Sequence, residues 1–383
     1  MVALKVTRLA LENFRNIAAA ELSPCGGVNV IFGENAQGKT NLLESISLCS
    51  GGRSFRGARE GQMVRFGEKA FRVSLSFEDR QREQQIRYQS MGGSRSLSLN
   101  GVPLHTPTEL SGEFLSVAFN PGDLSIVQEG PAARRAFLDA AIGQVKPIYA
   151  RYLNQYNSIL EQRGALLREI AAKGQKAKGT LEVWDLQLAK MGTAISIFRQ
   201  DYIKKLSEVS EKVCGGFSGF QETFSLGYES SVFQKGQELS VYSDELIGVY
   251  LAVLQESLEN DIRMRATGKG VHRDDLEILV DGLSARLYGS QGQQRSCAIA
   301  LKIGEAMLLK GVTGEDPVVL LDDVMSELDQ GRQDYLLNRI KGFQVFITCC
   351  DIAGALRMEE GKVFKVEGGQ VRELSQEEVV SSK

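Results

Sequence analysis

Gly33-Glu34-Asn35-Ala36-Gln37-Gly38-Lys39-Thr40 is the stretch that decides the fold. It matches G-x-x-x-x-G-K-[ST]. The apolar run Val28-Asn29-Val30-Ile31-Phe32 precedes it, and apolar residues at helical spacing follow from Leu42 to Leu48. Strand, glycine-bearing loop and helix in that order let a backbone wrap a phosphate. Glycines allow N–H groups to turn inward, the lysine reaches the β/γ-phosphates, and the hydroxyl ligates Mg²⁺. A helix beginning near Asn41 adds its positive end. The pattern predicts an ATP site with Mg²⁺, formed by Gly33, Glu34, Asn35, Ala36, Gln37, Gly38, Lys39, Thr40 and Asn41. A glycine-rich turn with a surface lysine is the competing reading, and it leaves the flanking strand and helix unexplained.

Far along the chain, Val318-Val319-Leu320-Leu321-Asp322-Asp323 is an apolar strand ending in two carboxylates. Alone it is a strand with an acidic turn. Paired with a P-loop it has Walker B chemistry: Asp322 and Thr40 hold the metal, and Asp323 orients or deprotonates the attacking water. Just before it, Tyr288-Gly289-Ser290-Gln291-Gly292-Gln293-Gln294-Arg295 opens a helix expected to run to Lys310. A serine-led helix N-terminus can hold an anion, although a plain N-cap is the favoured reading of this segment alone. Ser290, Gln291, Gly292 and Gln293 are nonetheless candidates for nucleotide contact, placed as an ABC signature, with Ser326-Glu327-Leu328-Asp329 where a D-loop falls. This order predicts an α/β fold, an ABC-type, SMC-like P-loop ATPase head with an inserted helical arm.

The rest of the chain supplies the arm and the flanks. Phe71 to Phe77 alternates as a half-buried strand does. Leu97-Ser98-Leu99 and Val102-Pro103-Leu104 flank Asn100-Gly101, a hairpin signal, so an antiparallel sheet is expected over 70–105. From Pro147 to Ile170 the apolar spacing is helical. Trp184, Leu188, Met191, Ile195, Phe198 and Tyr202 then step by four and three residues, and the two helices would meet at a basic tip, 173–179. A helix over Asp244–Arg265, a second hairpin of Leu276–Val280 and Leu283–Leu287 about Asp281-Gly282, a helix over Gly331–Ile340 and a strand over Gln344–Thr348 follow. The expected divisions are 1–125 for the first part of the head, 126–266 for the arm and 267–383 for the rest of the head.

The 383 residues are 43% hydrophobic and 24% charged, enough for a packed core. The net charge of −3 means that any DNA contact must use local basic patches. Arg53, Arg56, Arg134, Arg135, Arg263, Arg265, Lys269 and Arg273 are the candidates, each more simply read as a solvated or ion-paired side chain. Six scattered cysteines without a C-x-x-C pair, and two histidines, argue against structural zinc and suit a reducing cytoplasm. The sequence shows neither a signal-peptide core nor an apolar run of membrane-spanning length, so a soluble cytoplasmic protein with no membrane partner is expected.

Several segments together resemble one family. Leu11-Glu12-Asn13-Phe14-Arg15-Asn16, the P-loop, Gly52-Arg53-Ser54-Phe55-Arg56, Asn120-Pro121-Gly122-Asp123-Leu124, Arg134-Arg135-Ala136-Phe137-Leu138-Asp139, His272-Arg273-Asp274-Asp275-Leu276, Ser290 to Arg295 and Leu321 to Asp329 are similar to the RecF family of bacterial recombination mediators, relatives of SMC proteins. The short arm is similar too. The resemblance implies an ATP-dependent homodimer that binds DNA, single-stranded and double-stranded, at gaps and junctions, and that helps RecO and RecR load RecA. Asp323 stands where most ABC proteins have Glu, and Gln291 where many have Gly. Phe346 to Asp351 lacks the usual switch histidine, with Thr348 or a neighbour in its place. Another SMC-like or ABC-type ATPase clamp is the alternative. A transporter motor fits the inserted arm poorly, and a P-loop kinase leaves the Ser290 helix without a role.

Overall fold

A computed structural model describes residues 4–80, 82–173, 181–218, 222–350, 361–375 and 377–378. The basic tip from residue 174 onward and Asp351 lie outside them. The chain divides into two compact units. One comprises Met1–Leu124, Gly216–Phe220 and Ala298–Lys383, and the other Ser125–Gly215 and Gln221–Cys297. The boundary expected at 266/267 therefore falls inside the second unit, because the strands on both sides of it pair with one another.

In chain order the strands are β1 (Lys5–Phe14), β2 (Ile17–Leu22), β3 (Val28–Phe32), β4 (Ala70–Glu78), β5 (Glu83–Met91), β6 (Ser94–Leu99), β7 (Val102–Leu104), β8 (Ser116–Phe119), β9 (Phe224–Glu229), β10 (Asp275–Val280), β11 (Leu283–Ser284), β12 (Val318–Asp322), β13 (Val345–Cys349), β14 (Gly361–Glu367) and β15 (Gln370–Leu374). The first unit holds two sheets. One is antiparallel, in the order β2-β1-β4-β5-β6-β7. The other runs β15-β14-β3-β13-β12-β8 and is parallel except for β15.

The central strands β3, β13 and β12 read as near-continuous apolar runs because both faces are covered there. Every residue of β12 is buried. The helix Lys39–Gly51 packs Leu42, Leu43 and Ile46 out of solvent. Two buried amides fix the sheet's N-terminal edge. Asn29 Oδ1 accepts from Cys25 N at 2.8 Å. Gln344 Nε2 donates to Val6 O at 2.9 Å and Cys25 O at 2.7 Å, while its Oε1 accepts from Val6 N at 2.7 Å.

The second unit carries the helices Pro131–Val145, Pro147–Lys173, Asp244–Glu256 and Leu258–Met264, most of Leu181–Ser218, and the sheet β11-β10-β9. Proline at the first position starts Pro131–Val145, since its missing N–H would be unpaired there anyway. The expected seam is inward: Leu188, Ile195 and Tyr202 are buried and Trp184, Met191 and Phe198 half-buried. Gly192 admits the Tyr250 ring, for a Cβ there would lie 2.4 Å from Cζ.

Four expectations change. The helix expected over Asp244–Arg265 breaks at Ser257 into two. The second hairpin strand stops at Ser284, and Ala285–Tyr288 is a helical turn. The two short strand signals that the sequence carries at Leu4-Lys5-Val6 and Leu9-Ala10-Leu11 fall in one strand, β1, with a bulge between Val6 and Arg8. The P-loop helix begins at Lys39, ahead of Asn41.

Three arginines of this unit are buried among carboxylates. Arg199 reaches Asp139 at 2.9 Å, Tyr149 OH at 3.0 Å and Val271 O at 2.6 Å. Arg163 reaches Asp185 at 2.6 Å, Asp261 at 2.7 Å and Thr267 at 2.8 Å. Arg134 grips both oxygens of Asp275, at 2.6 and 2.8 Å, and Arg135 donates to Asp274 O at 2.8 Å. Those pairings give Arg134 and Arg135 structural work. Arg273, Arg263, Arg265 and Lys269 are exposed.

Candidate nucleotide site

β3 ends at Phe32, and the chain turns through residues 33–38 into the helix Lys39–Gly51. Gly38 sits at φ +116°, a left-handed conformation that L side chains rarely adopt, and a Cβ there would lie 2.6 Å from Asn16 Oδ1. Ala36 also has positive φ. Asn16 braces the loop from outside, donating to Gln37 O at 2.8 Å and accepting from Asn41 Nδ2 at 2.8 Å. The Gln37 side chain accepts from Gly368 N at 2.6 Å.

Lys39 is buried, and its ammonium donates to Gly33 O at 2.6 Å and Glu34 O at 2.8 Å, with Cys350 Sγ at 3.3 Å. Cys350 Sγ also lies 3.0 Å from Asn35 Oδ1. The lysine thus folds back on carbonyls of its own loop, partners that an incoming phosphate can replace.

The parallel pairing of β12 with β13 and of β13 with β3 brings the acidic strand end to this loop. Thr40 Oγ1 donates to Asp322 Oδ1 at 2.8 Å across 282 positions of sequence. Thr348 Oγ1 donates to the same oxygen at 2.9 Å. Burial raises the pKa of Asp322 from its ordinary value, and the two hydroxyl bonds act against that. Asp323 is exposed, has φ +54°, and is held by Ser326, whose Oγ donates to its carbonyl at 2.7 Å and its Oδ1 at 3.0 Å.

These groups line one cavity of about 950 Å³. Asn35, Ala36, Gly38, Lys39, Thr40 and Asn41 form its floor, Asp322, Asp323 and Thr348 one wall, and Arg15, Arg56, Arg65 and the exposed Phe66 its rim. Arg15 donates to both oxygens of the fully buried Glu44, at 2.6 and 2.9 Å, and Arg56 reaches Asn41 Oδ1 at 3.2 Å. Two hard oxygen ligands, Thr40 and Asp322, already in contact suit Mg²⁺, which takes few protein oxygens beside phosphate and water. Among the described residues no group of three or more His, Cys, Asp or Glu could hold a metal by itself.

Ser290, Gln291, Gly292 and Gln293 belong to the other unit. There Ser290 Oγ accepts from Gln293 N at 3.2 Å and Gln293 Oε1 accepts from Ser290 N at 2.8 Å, a reciprocal cap on the helix Gln291–Thr313. Gln293 also donates to Glu222 at 2.8 Å. Both Ser290 and Gln291 are exposed. Sequence reasoning missed Asn16, Glu44 and Cys350 as parts of the P-loop surroundings. Asn16 was in view only as the end of the Leu11–Asn16 motif, and Glu44 as one polar position on an apolar helix.

The RecF/RecN/SMC N terminal domain family matches residues 5–369. The DNA replication and repair protein RecF of Clostridioides difficile (strain 630) is 38% identical over 370 residues, 96% of this chain and 98% of that protein. Its counterpart in Thermoanaerobacter sp. (strain X514) is 41% identical over 345 residues, 90% and 93% of the two chains. A solved structure of the recombination mediator protein RecF-ATP in the RecFOR pathway superposes with a TM-score of 0.90 at 38% identity, covering 97% of this chain and 98% of that one. The Smc head domain of Pyrococcus furiosus, 15% identical with a TM-score of 0.55 over 99% and 98%, shares the fold. The chain is a member of the RecF family of DNA replication and repair proteins, built on an SMC-like, ABC-type ATPase head.

Proposed function

We propose that this chain binds and hydrolyses ATP, and that ATP closes it into a homodimer that holds DNA at gaps and single-strand/double-strand junctions. There it works with RecO and RecR to load RecA in the cytoplasm, in recombinational repair and replication-fork maintenance. The observation that carries the reading is the Thr40–Asp322 hydrogen bond, which joins the P-loop to the end of β12 inside one cavity. The similar solved structure of RecF with ATP, from the RecFOR pathway, supports the ligand and the partners. Met1–Leu124 with Ala298–Lys383 acts as the head, and the helical unit as arm and lid.

In this reading the amides of Gly33 to Asn41 bind phosphate, and the Lys39 ammonium exchanges two carbonyls for β/γ-phosphate oxygens. Mg²⁺, when bound, neutralises developing phosphate charge. Thr40 and Asp322 would hold it. Asp323 positions the attacking water. Its side chain is one methylene shorter than Glu, so the carboxylate sits less readily within the 2.6–3.2 Å that proton transfer requires. Slow turnover is the consequence, with ATP used chiefly as a clamp; in the same proposal DNA stimulates that turnover. Ser290, Gln291, Gly292 and Gln293 reach the γ-phosphate of the partner's nucleotide, for which the exposed cap of Ser290 is the supporting feature.

Sedimentation with ATP and Mg²⁺, with and without gapped DNA, tests the proposal. The expected result is a monomer without nucleotide, a dimer with it, and a DNA complex that needs ATP. Ser290→Arg should bind ATP as a monomer. A dimer of Ser290→Arg with unchanged ATP dependence defeats the shared-site reading.

A further inference from the structure

We infer that Thr348 is a positioning residue for ATP hydrolysis, and that its hydroxyl sets the angle between the two carboxylates at the end of β12. The inference rests on the reading of Asp322 and Asp323 just given.

The register places Asp322 directly opposite Thr348, at the last pair of the β12–β13 ladder. One residue later the chain leaves the strand direction, since Asp323 has φ +54°. Its N–H then points to a side chain: Asp323 N donates to Thr348 Oγ1 at 2.8 Å. The same hydroxyl donates its own proton to Asp322 Oδ1 at 2.9 Å. Thr348 is 1% exposed on its strand yet borders the cavity. One hydroxyl therefore accepts from the backbone of one aspartate and donates to the carboxylate of the other.

Two consequences separate this from ordinary strand packing. Thr40 Oγ1 would hold a metal through its lone pair, and Thr348 would keep Asp322 Oδ1 in place whether or not the Thr40 bond persisted. Without the Thr348 oxygen the Asp323 N–H loses its partner, and an N–H left unpaired is costly enough to rotate the turn that carries the carboxylate. Ground-state contacts to phosphate come from other residues, so the effect falls on the chemical step. Small displacements of a positioned group are expensive in rate.

Valine has the branching and β-preference of threonine without the hydroxyl, so Thr348→Val keeps the strand. The experiment measures steady-state ATP hydrolysis across Mg²⁺ concentrations, direct ATP titration and Tm for Thr348→Val, Thr348→Ser and Asp323→Asn. Thr348→Val should turn over at least about tenfold more slowly, with ATP affinity within about threefold of the parent and a raised Mg²⁺ requirement. Thr348→Ser, which restores the oxygen, should recover most of the rate. A purely structural role predicts a changed Tm and no split between kcat and KM. Parent turnover in Thr348→Val, a loss of affinity equal to the loss of rate, or a Thr348→Ser as slow as Thr348→Val each overturn the inference. If Asp323→Asn is slow while Thr348→Val is normal, the inference alone fails. If Asp323→Asn hydrolyses ATP at the parent rate, the carboxylate reading fails and the inference with it.

Discussion

The surroundings of Lys39 and those of Arg163 and Arg199 are both clusters of buried charge, and they are built in opposite ways. Lys39 donates to two carbonyls of its own loop, partners it can leave. Arg163 and Arg199 are almost fully removed from solvent and face carboxylates, hydroxyls and a carbonyl that have nowhere else to go. The first arrangement exposes its groups to a cavity, and the second closes on itself. A buried charge is thus no guide to ligand contact until its partners are counted.

The largest expected effect breaks the closed cluster. Arg163→Met keeps most of the volume but leaves Asp261, fully buried, and Asp185 without their cation. Removing one partner of such a pair costs about 3–5 kcal/mol. Chemical denaturation should show that loss in the helical unit, and a variant as stable as the parent would show that the pair is not what holds it. Lys39→Met should do the reverse. ATP affinity in a direct titration should fall by about 100-fold, of the order expected for a desolvated charge-assisted phosphate contact, while Tm stays within a degree or two. Unchanged affinity would move the site elsewhere.

A smaller effect sharpens the contrast through pH. His272 Nε2 lies 2.9 Å from Thr267 O, so it must carry the proton, and Nδ1 accepts from Tyr156 OH at 2.8 Å. Burial, chiefly, pushes its pKa down to about 4. A histidine depressed in the fold contributes stability above its unfolded value near 6.5, and loses it as pH falls through the window from 6.5 to 4. Between pH 7 and pH 5 the difference in unfolding free energy should shrink by about 2 kcal/mol on account of this one ring. His272→Gln should flatten that part of the profile. An identical pH dependence in the variant would assign it to other groups.

The P-loop and the two aspartates were legible because each is a local pattern: glycines at fixed offsets before a helix, and carboxylates at the end of an apolar strand. Thr348 was legible only as one candidate, beside its neighbours, for the place of the missing switch histidine, since its hydrogen bonds depend on the register of β12 against β13, a fact of pairing across 26 positions. The second hairpin misled because Leu283 and Leu287 satisfy both an alternating pattern and a four-residue step, and the chain took the helical option from Ala285. β9, with Gly227 in its middle, and the edge pair β14 and β15, where charged residues interrupt the apolar ones, carry weak strand signals and went unread. Gln344 and Asn29 look like polar flaws in buried runs until their hydrogen bonds are seen.

β3 is the strand that leads into the P-loop, and both of its neighbours are late: Val28 faces Val345 on one side and Gly361 on the other. Pairings across more than 300 positions close slowly because so much chain entropy must be surrendered first. A ribosome therefore releases the antiparallel sheet of β1, β2 and β4 to β7 long before β3 has anything to pair with. Until β13 emerges, the strand leading to Lys39 is an unpaired apolar edge, the kind of segment that chaperones shield. The chain acquires its nucleotide site in one of the final acts of synthesis, so a polypeptide cut short before Gln344 would be folded in part and blind to ATP.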